Sequence, residues 1–522
     1  MTRTTIRRTA RLFLGIGSLA GALALFAPIA GAQPVPIPIG SKARKEEPLP
    51  AGEKIELSLS RAIALSLQNV LDLDVASLQY EKAGFSIGAA GGVFDPYLQL
   101  EVNASRTQSP VFSRIQASDS KRQNLNAYFG GFLPFGTTYQ AGWTNSRSDS
   151  VIPGFTIVNP TYSSNLFASV TQPLLRNFGT KVNTRLVVQA RIARDTSAWE
   201  FVKSVQTTVQ NVENAYWDLV FALENLTAKV EGLDRARDLN RITKIKIDVG
   251  ALAPIDIVQT EVTIAQREQD IITAEGLIGD AQDRLKRLLN VSSLADWTRP
   301  IAPTDRPSDA PITVDLDAGM RQALETRPEV KQAVVDIESK KVSFAYNRNQ
   351  LLPKLDFNGQ YGYAGLGAKT SLTADNGSVQ NIDYVDALYQ IRGREFPSWT
   401  AGLVFNLPIG NHTARANFAS ASADLDLSRT SLAILKQNLT VEVRGAARAV
   451  DTSFRTIAAA KKSRELAERN VDAERKKFEN GMSTSFTVSQ IQNDLTNARS
   501  VELQAISGYR KSIAAWHKAI GD

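Results

Sequence analysis

The segment VQTTVQNVENAYWDLVFALENLTAKVEGL, residues 205–233, decides the fold of this chain. Its apolar residues recur at alternating steps of four and three, which places them on one face of a helix, as in a coiled coil. They are Val205, Val209, Val212, Tyr216, Leu219, Leu223, Leu226, Val230 and Leu233. The surrounding run, residues 186–247, contains no proline, and as a helix it would extend roughly 90 Å. Because most helices have only about 11–12 residues, this length indicates a chain that spans a distance rather than one that encloses a compact catalytic core.

A second helical run follows a short break and then reappears at the end of the chain. It starts after Pro254, and its apolar positions are Ile257, Ile264, Ile271, Ala274, Ile278, Ala281, Leu285 and Leu288. A shift of 231 residues brings Gly250 onto Gly481, and Leu285 onto Trp516. The proline-free run 414–480 likewise matches 186–247. We therefore predict a tandem repeat, with copies at 55–290 and 313–522 joined by a linker at 291–312.

The N-terminus carries the features of a secretory signal peptide. Residues 1–32 combine four arginines, an apolar stretch and the small-residue cleavage site Ala30-Gly31-Ala32. An uncleaved membrane anchor is the alternative, and the proline-rich residues 33–54 are predicted to form a linker. Without residues 1–32 the formal charge falls from +7 to 7 − 4 = +3, so a nucleic-acid partner is not expected.

Cysteine and histidine usage argues against several kinds of active site. The chain has no cysteine and only two histidines, His412 and His517. Disulfides and thiolate chemistry are therefore excluded, and a histidine metal cluster is implausible. The sequence also contains no phosphate-cradling glycine loop and no triad-like pattern. We therefore expect no cofactor, no metal site and no enzymatic activity.

Between the helical runs the apolar spacing changes to the two-residue alternation of half-buried strands. In the first copy the segments are 97–105, 124–133, 138–144 and 165–171, and in the second copy they are 355–363 and 398–407. Strands of this length can cross a bilayer when tilted. The same pattern also fits an ordinary water-exposed sheet.

The signal peptide together with the strands favours a membrane location. The remaining chain has no apolar run long enough for a membrane-spanning helix, so closed strands would be the way to satisfy the backbone in lipid. One copy of the chain has too few strands to close a barrel and also connect to such long helices. Several copies that pool their strands would solve both problems.

Two motifs occur in both copies of the predicted repeat. A strand leads through Gln172-Pro173-Leu174 with Gly179, or through Leu407-Pro408-Ile409-Gly410, into each long helix, and a glycine, Gly250 or Gly481, lies at each hairpin tip. In these motifs and in the order of its elements, the chain from Leu57 onward resembles the TolC-like outer membrane efflux proteins. The resemblance implies an α+β membrane protein in which a long α-helical coiled-coil barrel joins a trimeric transmembrane β-barrel.

The resemblance also implies a function and partners. The chain would be a passive exit duct in the cell outer membrane, with its helical part in the periplasm, serving a tripartite efflux pump or a type I secretion system. Its partners would be two further copies of itself, a periplasmic adaptor, an inner-membrane pump and outer-membrane lipid.

Candidate site residues lie at and just beyond the two hairpin tips. The candidates for a periplasmic gate are Asp256, Gln259, Thr487, Gln490 and Asp494. The candidates for adaptor contacts are Val249, Gly250, Ala251, Asn480, Gly481 and Met482. Family members with a well-defined gate place two aspartates where this chain has Thr487 and Gln490, so three copies of Asp256 are the carboxylates that could favour cations. Asp256 could equally be a favourable charge in the first turn of a helix, and the glycines could be left-handed turn residues.

The first copy departs from the family pattern by having four strand segments where two are usual. Either a shared barrel holds 3 × 6 = 18 strands rather than 3 × 4 = 12, or the extra hairpin folds outside it. We favour the usual barrel with the hairpin outside.

Two other functions are considered. One is a non-conducting coiled-coil protein that spans the periplasm as a structural tether. The other is a secreted enzyme on an elongated scaffold. This function is a remote alternative because the chain has no cysteine, only two histidines and no cluster of acidic residues.

Overall fold

The computed structural model describes residues 53–110, 119–151, 159–368, 370–373 and 379–522. The predicted signal peptide, 1–32, and most of the predicted linker 33–54 lie outside the described residues. In chain order the helices are α1 (Leu59–Asn69), α2 (Leu71–Gly91), α3 (Thr180–Asn183), α4 (Arg185–Asp248), α5 (Ile255–Leu288), α6 (Leu294–Thr298), α7 (Leu316–Thr326), α8 (Pro328–Gln350), α9 (Tyr384–Gly393), α10 (His412–Glu479) and α11 (Ser485–Ile520). The strands are β1 (Ile55–Leu57), β2 (Tyr97–Gln108), β3 (Asp119–Phe132), β4 (Thr138–Val151), β5 (Thr161–Pro173), β6 (Ile301–Pro303), β7 (Lys354–Ala368), β8 (Thr370–Thr373), β9 (Val379–Ile382) and β10 (Pro397–Asn406).

The two long helices predicted from the apolar spacing are present as α4, with 64 residues, and α10, with 68 residues. Helix α5 packs back on α4, and α11 packs back on α10, so each long helix forms a hairpin with a shorter one. Helix α4 also packs on α11 and thereby joins the two halves of the chain. Within α4, Val212, Tyr216 and Leu219 are fully buried in one apolar cluster with residues of α1 and α5. None of the described helices combines the length and apolarity needed to cross a membrane.

The predicted apolar face of α4 is not covered along the whole helix. Val230 is 41% exposed, whereas its neighbours Ala228 and Gly232 are buried. A straight helix drifts by about 20° per heptad relative to a strict 3.5-residue repeat, so the face that meets α11 turns away from Val230. A Cβ on Gly232 would lie 3.0 Å from Oγ1 of Thr496, and the glycine therefore lets the two helices approach closely.

The sequence of residues 57–89, which ends before Gly91-Gly92, predicts a single short helix. This prediction is wrong, because the chain forms β1 and then two helices, α1 and α2. They are separated by Val70, whose backbone is extended, with a ψ of 129°. Ser66 of α1 donates a hydrogen bond of 2.8 Å to the carbonyl oxygen of Leu288, so α1 is fixed to the end of α5. Helix α2 packs along α4. The extended backbone at Val70 lets α1 contact the end of α5 while α2 follows α4.

The segment predicted as a linker, 291–312, contains α6 and β6 and is tied to the first long helix. Strand β6 pairs in parallel with β1. The hydroxyl of Tyr216 lies 2.9 Å from Oδ2 of Asp305 and 3.1 Å from the carbonyl oxygen of Leu57. Burial raises the pKa of Tyr216 to about 12, so the hydroxyl stays protonated and can donate at neutral pH.

All six predicted strand segments lie in one antiparallel sheet with the order β10-β7-β5-β4-β3-β2. The expectation that the extra hairpin folds outside the sheet formed by the other strands is wrong, because β3 and β4 occupy the middle of this sheet. Their connecting turn is packed against the chain that follows β5. Gly136 in the turn has a φ of +103°, and a Cβ there would lie 2.6 Å from the carbonyl oxygen of Asn177. The amide of Gly179 donates to the carbonyl oxygen of Phe135 at 3.1 Å.

The register sorts the side chains of this sheet by polarity. Residues directly opposite each other share a face, so Leu100, Ala127, Trp143, Leu166 and Tyr363 form one row across five strands. The apolar face holds this row together with Leu98, Val102, Leu125, Phe129, Val170, Tyr361, Trp399, Leu403 and Phe405. The other face, called the polar face below, also holds the apolar side chains of Phe132, Phe167, Leu366 and Val404 but is mainly polar. Its amide and hydroxyl side chains include Gln99, Asn103, Asn126, Gln140, Thr144, Asn165, Thr171, Asn358, Gln360, Ser398, Thr400 and Asn406.

Helix α9 packs on the apolar face, at the end of the strands remote from the long helices. A Cβ on Gly365 would lie 2.0 Å from the carbonyl oxygen of Ala387, so backbone meets backbone there. The side-chain amide of Gln390 accepts from the backbone N–H of Leu366 at 2.9 Å and donates to its carbonyl oxygen at 3.1 Å. Strand β10 begins opposite Tyr363 and therefore does not pair with Leu366. The two hydrogen bonds with the Gln390 side chain take the place of the backbone bonds that a neighbouring strand would make there.

Candidate functional site at the hairpin tips

The two hairpin tips, residues 249–254 (tip 1) and 480–484 (tip 2), are built in the same way. Gly250 and Gly481 have φ values of +76° and +75°. The next amide in each tip donates back to a carbonyl oxygen five residues earlier: Ala251 to Lys246 at 2.7 Å, and Met482 to Lys477 at 2.8 Å. This pattern is a helix C-cap in which glycine takes the left-handed position.

The predicted adaptor-contact residues project from these tips. Val249 is 72% exposed and Met482 is 71% exposed. Gly250, Ala251, Asn480 and Gly481 are exposed as well. No atom of the described part of the chain lies within 4 Å of a Cβ placed on either glycine, so both tips offer open space to another molecule.

The predicted gate residues beyond tip 1 lie in the first turns of α5. Asp256 is half-buried in the first turn, and among the described residues its carboxylate has no hydrogen bond or ion pair. Gln259 is exposed, and its backbone oxygen accepts from Thr263 Oγ1 at 3.1 Å. Asp256 therefore has the free carboxylate that an ion-attracting position requires.

The predicted gate residues beyond tip 2 lie in the first turns of α11. Thr484 is the N-cap of this helix, and its Oγ1 accepts from the backbone N–H of Thr487 at 3.2 Å. Gln490 and Asp494 are exposed, and Gln490 Nε2 lies 3.4 Å from Asp494 Oδ1. The structure thus brings Gln490 and Asp494 together, whereas Thr487 takes part in capping.

A contact between the two hairpins, just before the tips, uses a residue that was not predicted from the sequence. Lys246, in the last turn of α4, donates to the carbonyl oxygens of Phe478 at 2.5 Å and Glu479 at 3.0 Å, at the end of α10. Its ammonium also lies 4.7 Å from the centroid of the Phe478 ring. The ring is buried in a cluster with Leu239 and Val488. A cation is favourable at a helix C-terminus, so Lys246 clamps the second hairpin to the first.

Ion pairs continue this attachment along the hairpins. Arg475 of α10 pairs with Asp238 of α4 at 3.0 Å. Arg499 of α11 pairs with Glu468 of α10 at 3.0 Å and makes a short contact with Glu231 of α4. Because these pairs are partly exposed, each contributes little alone, and they position the helices more than they stabilise them.

Arg267 is a buried charge of this region. It lies in α5, with Asp270 Oδ2 3.4 Å and Asn493 Oδ1 3.0 Å from its guanidinium. Burial lowers the pKa of Arg267, and the charge of Asp270 opposes that effect. Thr263 and Ser489 add a hydroxyl contact of 2.8 Å between α5 and α11. The short helices of the two hairpins are thus joined by polar contacts.

A glutamate holds the turn of tip 2. Ser483 Oγ donates to Oε1 of Glu474 at 2.6 Å, and Lys477 Nζ lies 3.0 Å from Oε2. The hydrogen bond from Ser483 and the nearby ammonium hold the pKa of Glu474 below its usual value. The described residues contain no cluster of three or more His, Asp or Glu that could hold a metal ion.

Comparisons with known proteins match both halves of the chain. The family model described as "Outer membrane efflux protein" matches residues 62–291 and again 319–522. Nodulation protein T of Rhizobium leguminosarum bv. trifolii is 21% identical over 366 residues, which cover 69% of this chain and 73% of that protein.

Solved structures share the fold at low sequence identity. The CmeC outer membrane channel of Campylobacter jejuni is 16% identical, with a TM-score of 0.61, and the match covers 89% of this chain and 85% of that one. The outer membrane protein VceC of Vibrio cholerae is 14% identical, with a TM-score of 0.64, and the match covers 89% of this chain and 96% of that one. CusC is 16% identical, with a TM-score of 0.65 and coverage of 89% and 92%.

Proposed function

Because this chain belongs to the outer membrane efflux protein family, in which proteins are outer membrane efflux channels, we propose that it is the passive, trimeric exit duct of a tripartite pump or of a type I secretion system. A periplasmic adaptor and an inner-membrane pump would deliver the cargo and the energy. The two separate family matches and the identical capping of the two tips support a chain made of two copies of one structural unit.

The observation that carries this proposal is the polarity of the six-stranded sheet. Along β7 the apolar face runs from Leu355 to Tyr363, nine residues, which is the length of a tilted strand that crosses a bilayer. The opposite face holds mainly amides and hydroxyls, together with a few apolar side chains such as Phe167 and Val404. A face rich in amides and hydroxyls suits the wall of a water-filled pore. A sheet with one lipid-compatible face and one water-compatible face suits a conducting channel better than a non-conducting tether.

The proposed pore wall carries little net charge. On the polar face Glu101 and Arg122 have opposite charges, and Asp356 pairs with Lys354 at 3.1 Å. The charges that distinguish ions would therefore lie at the tips. We propose Asp256, Gln259, Thr487, Gln490 and Asp494 as gate residues, and Val249, Gly250, Ala251, Asn480, Gly481 and Met482 as adaptor contacts.

The Asp256→Asn variant should show a weaker preference for cations. An ion that passes within about 4 Å of a carboxylate in water gains about 1 kcal/mol, which is roughly a five-fold preference. We would measure reversal potentials in a salt gradient. Asp426→Asn, which removes the same charge from an exposed position near the other end of α10, is the control. An unchanged preference in Asp256→Asn would assign this carboxylate to the helix terminus alone.

Replacing Lys246 with alanine should increase the open population of the channel. The ammonium contributes hydrogen bonds to two helix-terminal carbonyl oxygens, and bonds to charged groups are worth about 1.5–3 kcal/mol. Their loss corresponds to a roughly ten-fold or larger rise in the ratio of open to closed channels. Single-channel recordings would measure this ratio, with the exposed Lys244→Ala as the matched control. Equal open probabilities in the two variants would exclude Lys246 from the gate.

The experiment that tests the function as a whole is conductance of the purified protein in a planar lipid bilayer, with the oligomer mass measured in detergent. A trimer that forms stable channels of small conductance supports the proposal. A trimer that conducts only after the Lys246→Ala substitution supports it too, with a closed resting state. A monomer without current would contradict it and favour the periplasm-spanning tether.

A further inference from the structure

Among the residues that the structure describes, the six-stranded sheet ends in two edge strands without a further neighbour, β2 and β10. On β2 the apolar-face residues Leu98, Leu100 and Val102 are 70–76% exposed. Their counterparts on the interior strand β5, Leu166 and Val170, are 36–37% exposed. Unpaired backbone groups cost several kcal/mol each in lipid, so both edges require a partner strand. On β10 the residues Trp399, Leu403 and Phe405 are likewise 60–73% exposed.

The two edges match each other in direction and polarity. Because each strand is antiparallel to the next and the number of strands is even, β2 and β10 run in opposite directions. A β10 strand placed beside β2 of a second copy would therefore continue the antiparallel order, with both apolar faces on the same side. Six strands are fewer than the eight of the smallest membrane barrels, so one copy does not close on itself.

We infer that β10 of each copy pairs with β2 of the next, and that the shared barrel of the proposed trimer contains 3 × 6 = 18 strands. The partner at each edge is a second copy of this chain. The inference rests on the proposed trimeric channel and adds to it the position of the joint and the width of the exit.

The β3–β4 hairpin belongs to this wall because it is bonded on both sides and anchored at its turn. Strand β3 pairs with β2 over twelve residues, and β4 pairs with β5 over eleven. The turn is held by the Gly179 amide on Phe135 and by a short contact between Thr137 and Gln172. Without the hairpin, β2 and β5 would still be antiparallel neighbours, so it widens the wall without changing the topology.

The width of the exit follows from the number of strands. Barrel diameter grows roughly linearly with strand number, so eighteen strands would make the exit about 1.5 times as wide as twelve strands would. Because the positive and negative charges on its polar face balance, this end of the duct would admit bulky polar cargo without selecting it by charge.

Engineered cysteines test the joint directly, because the natural chain has none. We would combine Leu100→Cys in β2 with Trp399→Cys, Ala401→Cys or Leu403→Cys in β10, all on the apolar face, and oxidise the protein in membranes. At least one pair should give covalent oligomers that end at three chains. The pairing of Ala141→Cys in β4 with the same β10 positions is the control and should give none. Cross-links from β4 but none from β2 would overturn the inference.

Polymer exclusion tests the width. Neutral polymers added on the barrel side should enter the natural channel up to a radius about 1.5 times that admitted by a variant whose residues 109–160 are replaced by a short turn. If both channels admit polymers up to the same radius, the inference is overturned. If the natural trimer still conducts in that case, the proposed function stands. If the shortened variant does not fold, the cross-links decide the question. Absence of a conducting trimer in the natural protein would instead contradict the proposed function.

Discussion

Replacing Arg327 with alanine should lower the free energy of unfolding by about 2–4 kcal/mol. Arg327 is buried between α7 and α8, and its guanidinium donates to the carbonyl oxygens of Lys518 at 2.9 Å and Ala519 at 3.4 Å at the end of α11. It also pairs with Glu329 and Glu442, each at 3.0 Å. Glu442 is half exposed and would regain water, so most of the expected loss comes from the buried bonds to the carbonyl groups. The carbonyl of Lys518 keeps the amide of Gly521 as a donor, whereas the carbonyl of Ala519 loses the bond from the guanidinium.

Thermal unfolding of the detergent-solubilised protein would measure the effect of Arg327→Ala. Arg327→Lys should recover only part of the loss, because an ammonium cannot reproduce the planar fork that reaches a carboxylate and two carbonyl groups at once. Arg429→Ala is the control: its pair with Asp426 is exposed on both sides, and its removal should cost less than about 1 kcal/mol. If Arg327→Ala and Arg429→Ala have the same melting temperature, the guanidinium of Arg327 does not stabilise the packing of α7 and α8 against the end of α11.

A Cβ added at Gly365 should prevent helix α9 from docking on the sheet. In Gly365→Ala the new atom would lie 2.0 Å from the carbonyl oxygen of Ala387, and a backbone group cannot move aside as the end of a side chain can. We expect a loss of stability of about 1–3 kcal/mol, the usual range for overpacking, or more. The contact between Tyr384 and Asn145, at 2.9 Å, should be lost with it.

Gly402→Ala is the matched control for Gly365→Ala, because it is also a strand glycine but has no atom within 4 Å of an added Cβ. The shift of the folded barrel band on a heated gel would give the melting temperature of each variant. Limited proteolysis at residues 394–396, beyond the end of α9, would report the release of the helix. Similar melting and similar cleavage in both variants would contradict the tight docking of α9.

Most of the secondary structure could be predicted from the spacing of apolar residues. The alternating three- and four-residue steps predicted α4, and the two-residue steps predicted the six strands of the sheet, because each period reports which face of an element is covered. Helix α10 was predicted because the proline-free run 414–480 matches 186–247 in the tandem repeat. Helix α9 was not predicted, since its ten residues give too few turns for a clear period. Val70 was missed because one extended residue between two helical stretches does not change their spacing.

The candidate site was predictable where it depends on local backbone. Gly250 and Gly481 marked the tips, since a helix that stops without proline commonly ends on a left-handed glycine. Lys246 was visible as a basic residue in the last turn of α4, and the general expectation is that it faces the end of its own helix. Its actual acceptors belong to α10, 232 and 233 residues later.

The order of amino acids alone therefore determines the long helices, the strands, the turns at the tips and membership in the efflux family, because these depend on periodicity and on residues close in the chain. Only the tertiary structure decided that the β3–β4 hairpin lies within the wall, that α9 covers part of the apolar face, and that Lys246 and Arg327 cap helices from distant segments. Each of these features depends on which surfaces pack together in the folded chain. The spacing of apolar residues within a helix or strand shows that one of its faces must be covered, but it does not show which other segment covers that face.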